Sequence, residues 1–374
     1  MAPNPTTPGC DGRSGAPRQF VYPIPGGMTE SAGTAVGDVS YSAVAQIRIH
    51  HGAVSGIAVT SDGGKLMVTH HADDSVSWLD TDTCTPSRTV VGISEPFAIA
   101  IAAARAYIST VSAAYDSILV IDVNTGRVIG VLPVADSVRD LAVSPDGRHV
   151  YACRTAARGA DVAVVDTMTE RVAVIDLTAG GMEAGLTTEC VRVSPDGSRL
   201  YVATHRPAGA ELAVIDTKRN RVVGAVPIGS PIRDVALSPH GDRAYVLSSG
   251  VDFGAVLDVV DTGSNVITGT GKIGDVCGLV TQLTLSGDGE RAYLVDDENV
   301  IVLSTQTQNV IGTIPVDGHP SCVVESPDGD YLYIGDYAGT VGVVAISCTT
   351  TPNSVPEAVE AALLELLQVQ PALT

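Results

Sequence analysis

Val143-Ser144-Pro145-Asp146-Gly147 is the phrase on which the reading of this 374-residue chain turns. It recurs as Val193-Ser194-Pro195-Asp196-Gly197. Altered copies are Leu237-Ser238-Pro239-His240-Gly241, Leu285-Ser286-Gly287-Asp288-Gly289, Glu325-Ser326-Pro327-Asp328-Gly329 and Val59-Thr60-Ser61-Asp62-Gly63. Proline presets φ at the start of a turn and glycine accepts the positive φ that a tight hairpin needs, so each copy marks a hairpin. Thr60 and Ser144 stand two periods apart. Between them lies a degenerate copy, Phe97-Ala98-Ile99-Ala100-Ile101 followed by Ala106-Tyr107-Ile108-Ser109, which lacks the turn phrase. The chain therefore holds seven units of roughly 40 to 50 residues.

The residues around the turn share one grammar. An apolar run leads into it, and a strand such as Leu200-Tyr201-Val202-Ala203-Thr204 follows. A variable loop precedes a third strand that ends in Asp, as in Ala213-Val214-Ile215-Asp216-Thr217. A short polar turn then leads to a fourth, Arg221 to Ile228. Four short strands joined by three turns make one propeller blade. No unit carries a 3.6-residue apolar period, which excludes a helical solenoid. The last unit has only three strands, ending at Gly342–Ser347, and Ala43–Ile49 supplies the fourth from the other end of the chain. The expected fold is all-β: a seven-bladed β-propeller of four-stranded antiparallel blades, closed by an N-terminal strand, which avoids open sheet edges.

These phrases (Tyr201-Val202-Ala203-Thr204, Ser194-Pro195-Asp196-Gly197, Val214-Ile215-Asp216-Thr217 and Val226-Pro227-Ile228-Gly229) resemble the repeat of the YVTN family, found in YncE-like propellers and archaeal surface-layer proteins. Lactonase-like propellers use a similar repeat. The resemblance covers about residues 43–347. It implies a binding or interaction protein, often one outside the cytoplasm, but its matching residues build turns and core rather than a site.

The formal net charge is −20, with 42 acidic against 22 basic residues. Such a surface repels phosphate backbones and anionic headgroups, so nucleic acid is not an expected partner. Hydrophobic residues make up 45% of the chain and aromatics 4%, a Val- and Thr-rich mixture suited to pleated sheets. Seven cysteines without a C-x-x-C pair argue against a zinc knuckle or a disulfide scaffold. Met1–Pro8 has neither a basic n-region nor an apolar h-region, and no run approaches the length of a membrane span. The expectation is a cytoplasmic protein without membrane insertion, with export or envelope association as the alternative.

Residues 1–42 are rich in Pro, Gly, Thr and Ser and read as an extended or disordered segment, ahead of a propeller at 43–348. Within the remaining 349–374, a helix is expected over 355–369. Ser354 caps it, Pro356 lies in its first turn, and Val359, Leu363, Leu366 and Leu367 fall on one face. That face fits either the chain's own propeller or another subunit.

Propellers bind ligands at the mouth of the central channel, on loops that enter each inner strand or join the second strand to the third. The candidates there are Arg139, Asp140, Glu189, Arg233, Asp234, Asp275 and His319. Arg139-Asp140 and Arg233-Asp234 occupy equivalent places in two units, either as a charged ring for an anionic small molecule or as blade-to-blade salt bridges. His71 and His205 also align between units and, with nearby carboxylates, form a candidate site for a divalent metal such as zinc, copper or manganese. No G-x-S-x-G elbow, P-loop, H-E-x-x-H or C-x-x-C-H occurs. The expected function is a non-enzymatic interaction or small-ligand-binding propeller using the acidic channel rim, with no resident cofactor and an unidentified protein or small molecule as partner. A lactonase-like or metal-assisted hydrolase is the first alternative and an envelope-associated structural protein the second.

Overall fold

Each turn phrase folds the same way in the computed structural model. Ser194 Oγ donates to Asp196 Oδ1 at 2.6 Å and accepts the Arg199 amide at 2.9 Å, which closes the hairpin from inside. Ser144 and Ser326 repeat the arrangement with Asp146 and Asp328. Where His240 replaces the aspartate, Asp242 takes the hydroxyl of Ser238 instead, at 2.6 Å. The turn glycines hold positive φ, +71° at Gly197 and +69° at Gly147, a region that disfavours a side chain. The threonine after each third strand reaches back to the same turn: Thr217 Oγ1 donates to Gly197 O at 2.7 Å and Thr262 to Gly241 O at 2.6 Å. The repeated letters are thus hydrogen-bond partners of one another.

The structure describes residues 39–111, 116–134, 137–156, 159–178, 185–250, 254–274, 276 and 278–348. Among these, 28 strands, numbered here in chain order, form seven antiparallel four-stranded sheets. The inner strands of blades 1 to 7 are β2 (Gly56–Val59), β6 (Ile99–Ala102), β10 (Ser137–Val143), β14 (Thr187–Val193), β18 (Ile232–Leu237), β22 (Gln282–Leu285) and β26 (Pro320–Glu325). Each adjoins the next, and β26 returns to β2, so they ring a central axis.

The core follows the ring. Seven separate apolar clusters form, each shared by two adjacent blades. The tyrosine that opens each second strand (Tyr107, Tyr151, Tyr201, Tyr245, Tyr293 and Tyr333) is buried among them, with Met67 in its place in blade 1. The seventh cluster joins Tyr333 and Val343 of blade 7 to Leu66 and Leu79 of blade 1. Stability is therefore distributed over seven nearest-neighbour interfaces, as in other repeat folds.

Closure uses β1 (Val39–Arg48), which pairs antiparallel with β28 (Thr340–Cys348) from Val39↔Cys348 to Arg48↔Thr340. The strand begins at Val39 rather than at 43, because Ser40–Ser42 also find partners along Ala345–Ser347. The segments 1–38 and 349–374, including the expected helix at 355–369, lie outside the described residues, as does Asp275.

Candidate functional site

Four of the seven inner strands carry a bulge just before the channel wall. Register shifts fall between Val138 and Asp140, Thr188 and Val191, Ile232 and Asp234, and Pro320 and Cys322. A bulge inserts an extra residue and re-aims its side chain. Here it gives Arg139, Glu189 and Arg233 to the mouth in three consecutive blades. Arg139 Nη2 lies 3.7 Å from Glu189 Oε2, and its side chain is 55% exposed. Arg233 Nε donates to Ser249 Oγ at 2.6 Å. His319 stands at the junction of blades 6 and 7, where Nδ1 meets Asp297 O at 2.7 Å.

The two candidate aspartates lie deeper and face the neighbouring blade. Asp140 Oδ2 accepts the Val191 amide of blade 4 at 3.1 Å, while Oδ1 accepts its neighbour Leu141 at 2.8 Å. Asp234 does the same one junction beyond the next blade: Oδ2 accepts Leu283 N at 2.9 Å and Oδ1 accepts Val235 N at 2.7 Å. Gln282 repeats the inter-blade bond with Val323 N at 2.6 Å. In blades 3, 5 and 6 the residue four before the turn serine is thus a polar clamp on the next blade, whereas Gly56, Cys190 and Cys322 hold that place in blades 1, 4 and 7.

Between the aspartates stands Arg192, a residue the sequence reading passed over. Its Nη1 donates to Asp140 Oδ2 and its Nη2 to Asp234 Oδ1 at 2.5 Å, so one guanidinium joins three blades. Arg192 pairs across its hairpin with Tyr201. The residues paired with the matching position elsewhere are Ala58, Ala100, Ala142, Ala236, Thr284 and Val324. Aligning the repeats on the turn serine exposes the arginine as an outlier among small and neutral residues. Its side chain keeps 30% exposure although protein surrounds it, as expected of a group on a channel wall. The paired carboxylates hold the guanidinium protonated well beyond its ordinary range, against burial, which pulls the other way. Burial raises the Asp234 carboxyl above its usual value, and Arg192 with the backbone donors only partly offsets this.

Blades 3 and 4 add two further ion pairs at the ends of their second strands. Arg154 forks onto Asp161 at 2.7 and 2.8 Å, and Arg206 Nε meets Glu211 at 2.7 Å. The bidentate Arg154–Asp161 pair fixes the guanidinium plane. The wall is therefore lopsided: blades 3 to 5 present charged groups, while Ser55, Gly56, Ala58, Thr281, Thr284 and Ser321 continue it without charge.

His71 and His205 sit on blades 1 and 4, which are not neighbours. His205 Nε2 meets Ile232 O at 3.0 Å, and the His71 ring packs edge-on to Phe97 at 6.1 Å. Among the described residues, no three His, Cys, Asp or Glu side chains group so as to hold a metal ion. His70, outside the candidate set, is buried between Gly52 O at 2.8 Å and Ser77 Oγ at 3.2 Å, and burial lowers its pKa.

The same architecture occurs in known proteins. The seven-bladed beta-propeller protein Rv1057 of Mycobacterium tuberculosis is 49% identical over 348 residues, spanning 85% of this chain and 87% of the relative. The chain belongs to this family of seven-bladed β-propeller proteins. The propeller is also similar to a chain of the Kuenenia stuttgartiensis hydrazine synthase, with a TM-score of 0.72 and 19% identity over 80% of this chain and 97% of that one; this likeness concerns the fold alone. No family model matches. Among the described residues, no helix is long and apolar enough to cross a membrane.

Proposed function

We propose that this propeller, read as one of the YVTN-repeat type, is a non-enzymatic interaction protein that takes its ligand at the channel mouth over blades 3 to 5. The observation that carries this reading is the commitment of Asp140 and Asp234. Both oxygens of each carboxylate already accept protein donors, and both carboxylates bind Arg192. These bonds hold both carboxylates in fixed contacts between blades, a structural use rather than the free positioning of a general base. The groups left facing the mouth are Arg139, Glu189 and Arg233. Two guanidiniums there favour a ligand, or a partner side chain, that presents a carboxylate.

Isothermal titration with citrate, succinate and glutamate as carboxylate probes tests this reading. Saturable binding should weaken about tenfold or more in Arg139→Ala and in Arg233→Ala, equivalent to the ~1.4 kcal/mol of one charge-assisted contact. Thermal melting of both variants should be unchanged, since the two side chains are partly exposed. Binding that is absent, or indifferent to both arginines, contradicts the proposal. Robust hydrolysis of a γ-lactone by the purified protein overturns it in favour of the hydrolase reading.

A further inference from the structure

The channel mouth is not alike around the ring. Over blades 3 to 5 it presents Arg139, Glu189 and Arg233. Its other side, where blade 7 meets blades 1 and 2, is apolar and aromatic. Among the described residues, four large apolar side chains stand exposed at the mouth, Val91, Phe97, Leu279 and Tyr337, and none of them lies over blades 3 to 5. Three of the four belong to one continuous surface. Tyr337, 57% exposed, opens a loop of blade 7 whose Gly339 leaves no room for a Cβ against His51 O, in the segment between β1 and β2. His51 Nδ1 meets Asp73 Oδ2 of blade 1 at 3.2 Å. Asp74 Oδ1 accepts the Glu95 amide, at the entry to blade 2, at 2.8 Å, and the His71 ring stands edge-on to Phe97. Val91, 68% exposed, ends the outer strand of blade 1 just before that entry, and Phe97 keeps 48% exposure.

The backbone is strained at the same place. Nine of the described non-glycine residues hold positive φ. Six of them (Cys84, Ala103, Glu170, Asn220, Asn265 and Gln308) turn tight hairpins on the opposite face of the ring. The other three are His50 at +61°, Asp74 at +49° and Glu95 at +42°, all within this surface. Conformations of this kind persist where the surroundings over-determine them, and they gather at binding sites.

Charge selects the occupant. Asp73, Asp74 and Glu95 are exposed among the apolar groups, and the segments 49–55, 71–74, 91–98 and 337–339 contain no lysine or arginine. Arg48, which pairs with Thr340, is the basic residue on the margin. Carboxylates beside exposed aromatic rings suit a cation whose aliphatic stem lies on the rings, as those of lysine and arginine do. The surface is open, whereas small ligands are held in clefts that bury most of their area. Apolar and aromatic side chains exposed together mark a protein contact. The net charge of −20 turns away a second copy of this chain and anionic polymers alike. We infer that the mouth over blades 7, 1 and 2 docks a basic segment of a partner protein, with apolar side chains against Val91, Phe97 and Tyr337 and lysines or arginines toward Asp73, Asp74 and Glu95. This surface is separate from the arginines of blades 3 to 5 and needs no ligand bound there.

Fluorescence anisotropy of labelled peptides with the full chain tests the assignment. A short acetylated and amidated peptide of alternating lysine and leucine should bind saturably at physiological salt, and its glutamate–leucine counterpart should not. Phe97→Ser combined with Tyr337→Ser should weaken binding about tenfold or more, as loss of aromatic anchors does. Val91→Lys, at the most exposed of the three side chains, should weaken it through like charge without disturbing a packed residue. Arg139→Ala and Arg233→Ala should not weaken it, because the peptide carries no carboxylate. Absence of saturable binding overturns the proposal. Binding indifferent to the Phe97, Tyr337 and Val91 variants also overturns it, since net charge alone would then attract the peptide. Spermine that competes as well as the unlabelled peptide overturns it too, because the surface would then take a small polyamine.

Discussion

Asp234 Oδ2 accepts the backbone N–H of Leu283 at 2.9 Å, a bond between blades 5 and 6 that leaves the other oxygen for Arg192 of blade 4. A single carboxylate therefore ties three consecutive blades together at the channel wall. Asp140 does the same for blades 3 and 4 through Val191 N and Arg192. The sheets of a propeller meet through apolar side chains that tolerate sliding. These polar contacts have fixed length and direction, and they set the register of one inner strand against the next.

Asp234 is the residue whose loss should be felt most. Its side chain is 5% exposed, and Asp234→Ala leaves the Leu283 amide without its acceptor and Arg192 with Asp140 as its only carboxylate. Removing one member of a buried pair costs about 3–5 kcal/mol. Chemical denaturation should show that loss as a lower midpoint. Adding Arg192→Ala to the first variant should cost less than it does alone, because the bond to Asp234 is already lost. Strict additivity of the two changes would mean that the pair is not coupled.

The scaffold was legible because its signals are local and repeated. The counterparts of Ser194, Asp196 and Thr217 recur at fixed places in most units, and their bonds close within about twenty residues. Closure by an N-terminal strand was legible as a missing fourth strand, four residues late at its start. The site was legible only in part. Asp140 and Asp234 stand out by composition, but their partners Val191 and Leu283 lie 51 and 49 residues away, at an offset no local pattern contains. His71 and His205 align in the repeat, yet equivalent positions of different blades are rotated about the axis, so alignment in sequence is not proximity.

Acid should unfold the propeller through its turns. Hydrogen bonds from Ser194 and from the Ser198 amide and hydroxyl hold Asp196 at a pKa of about 2. Serine or threonine hydroxyls and backbone amides likewise lower Asp62, Asp146 and Asp328, and Asp166 and Asp261 at the ends of third strands. A carboxyl depressed in the folded state stabilises fully above its unfolded value, about 3.9, and that contribution disappears as pH falls toward the folded one. Asp234 and Glu325, both raised by burial, act in the opposite sense, and they are outnumbered. The melting temperature should therefore fall steeply between about pH 4 and pH 2. Asp196→Asn should make that fall shallower, and an identical slope in the variant would place the acid sensitivity elsewhere.

Gly56 marks the one inner strand whose clamp position has no side chain. A Cβ there would lie 2.5 Å from Phe97 O and 2.9 Å from Thr69 Oγ1, inside the junction of blades 1 and 2. Backbone cannot retreat as a flexible side chain can, so Gly56→Ala should destabilise by about 1–3 kcal/mol. Gly274 has nothing within 4 Å of its Cβ position and no positive φ. Gly274→Ala should be neutral or gain up to about 1 kcal/mol from the stiffer unfolded chain. Equal melting of the two variants would show that the close approach of Phe97 is not a constraint.

The closing strand binds more than its own sheet. Tyr41 meets Tyr293 of blade 6 edge-on at 6.4 Å, and Ile47 is buried in the cluster that joins blade 7 to Val54 and Leu66 of blade 1. Loss of β1 therefore opens both junctions of blade 7 as well as the edge of β28. Ile47→Ala should cost about 2–5 kcal/mol as a large-to-small change in a packed core. Deletion of residues 1–48 should abolish cooperative melting and drive association through the bared β28 edge, as size-exclusion chromatography would report. A synthetic peptide of residues 39–49, which restores the missing pairing partner, should return the deleted protein to a monomer with a sharp transition. A deletion variant that melts like the parent without the peptide would mean that the ring is held shut by the blade 7–blade 1 cluster alone.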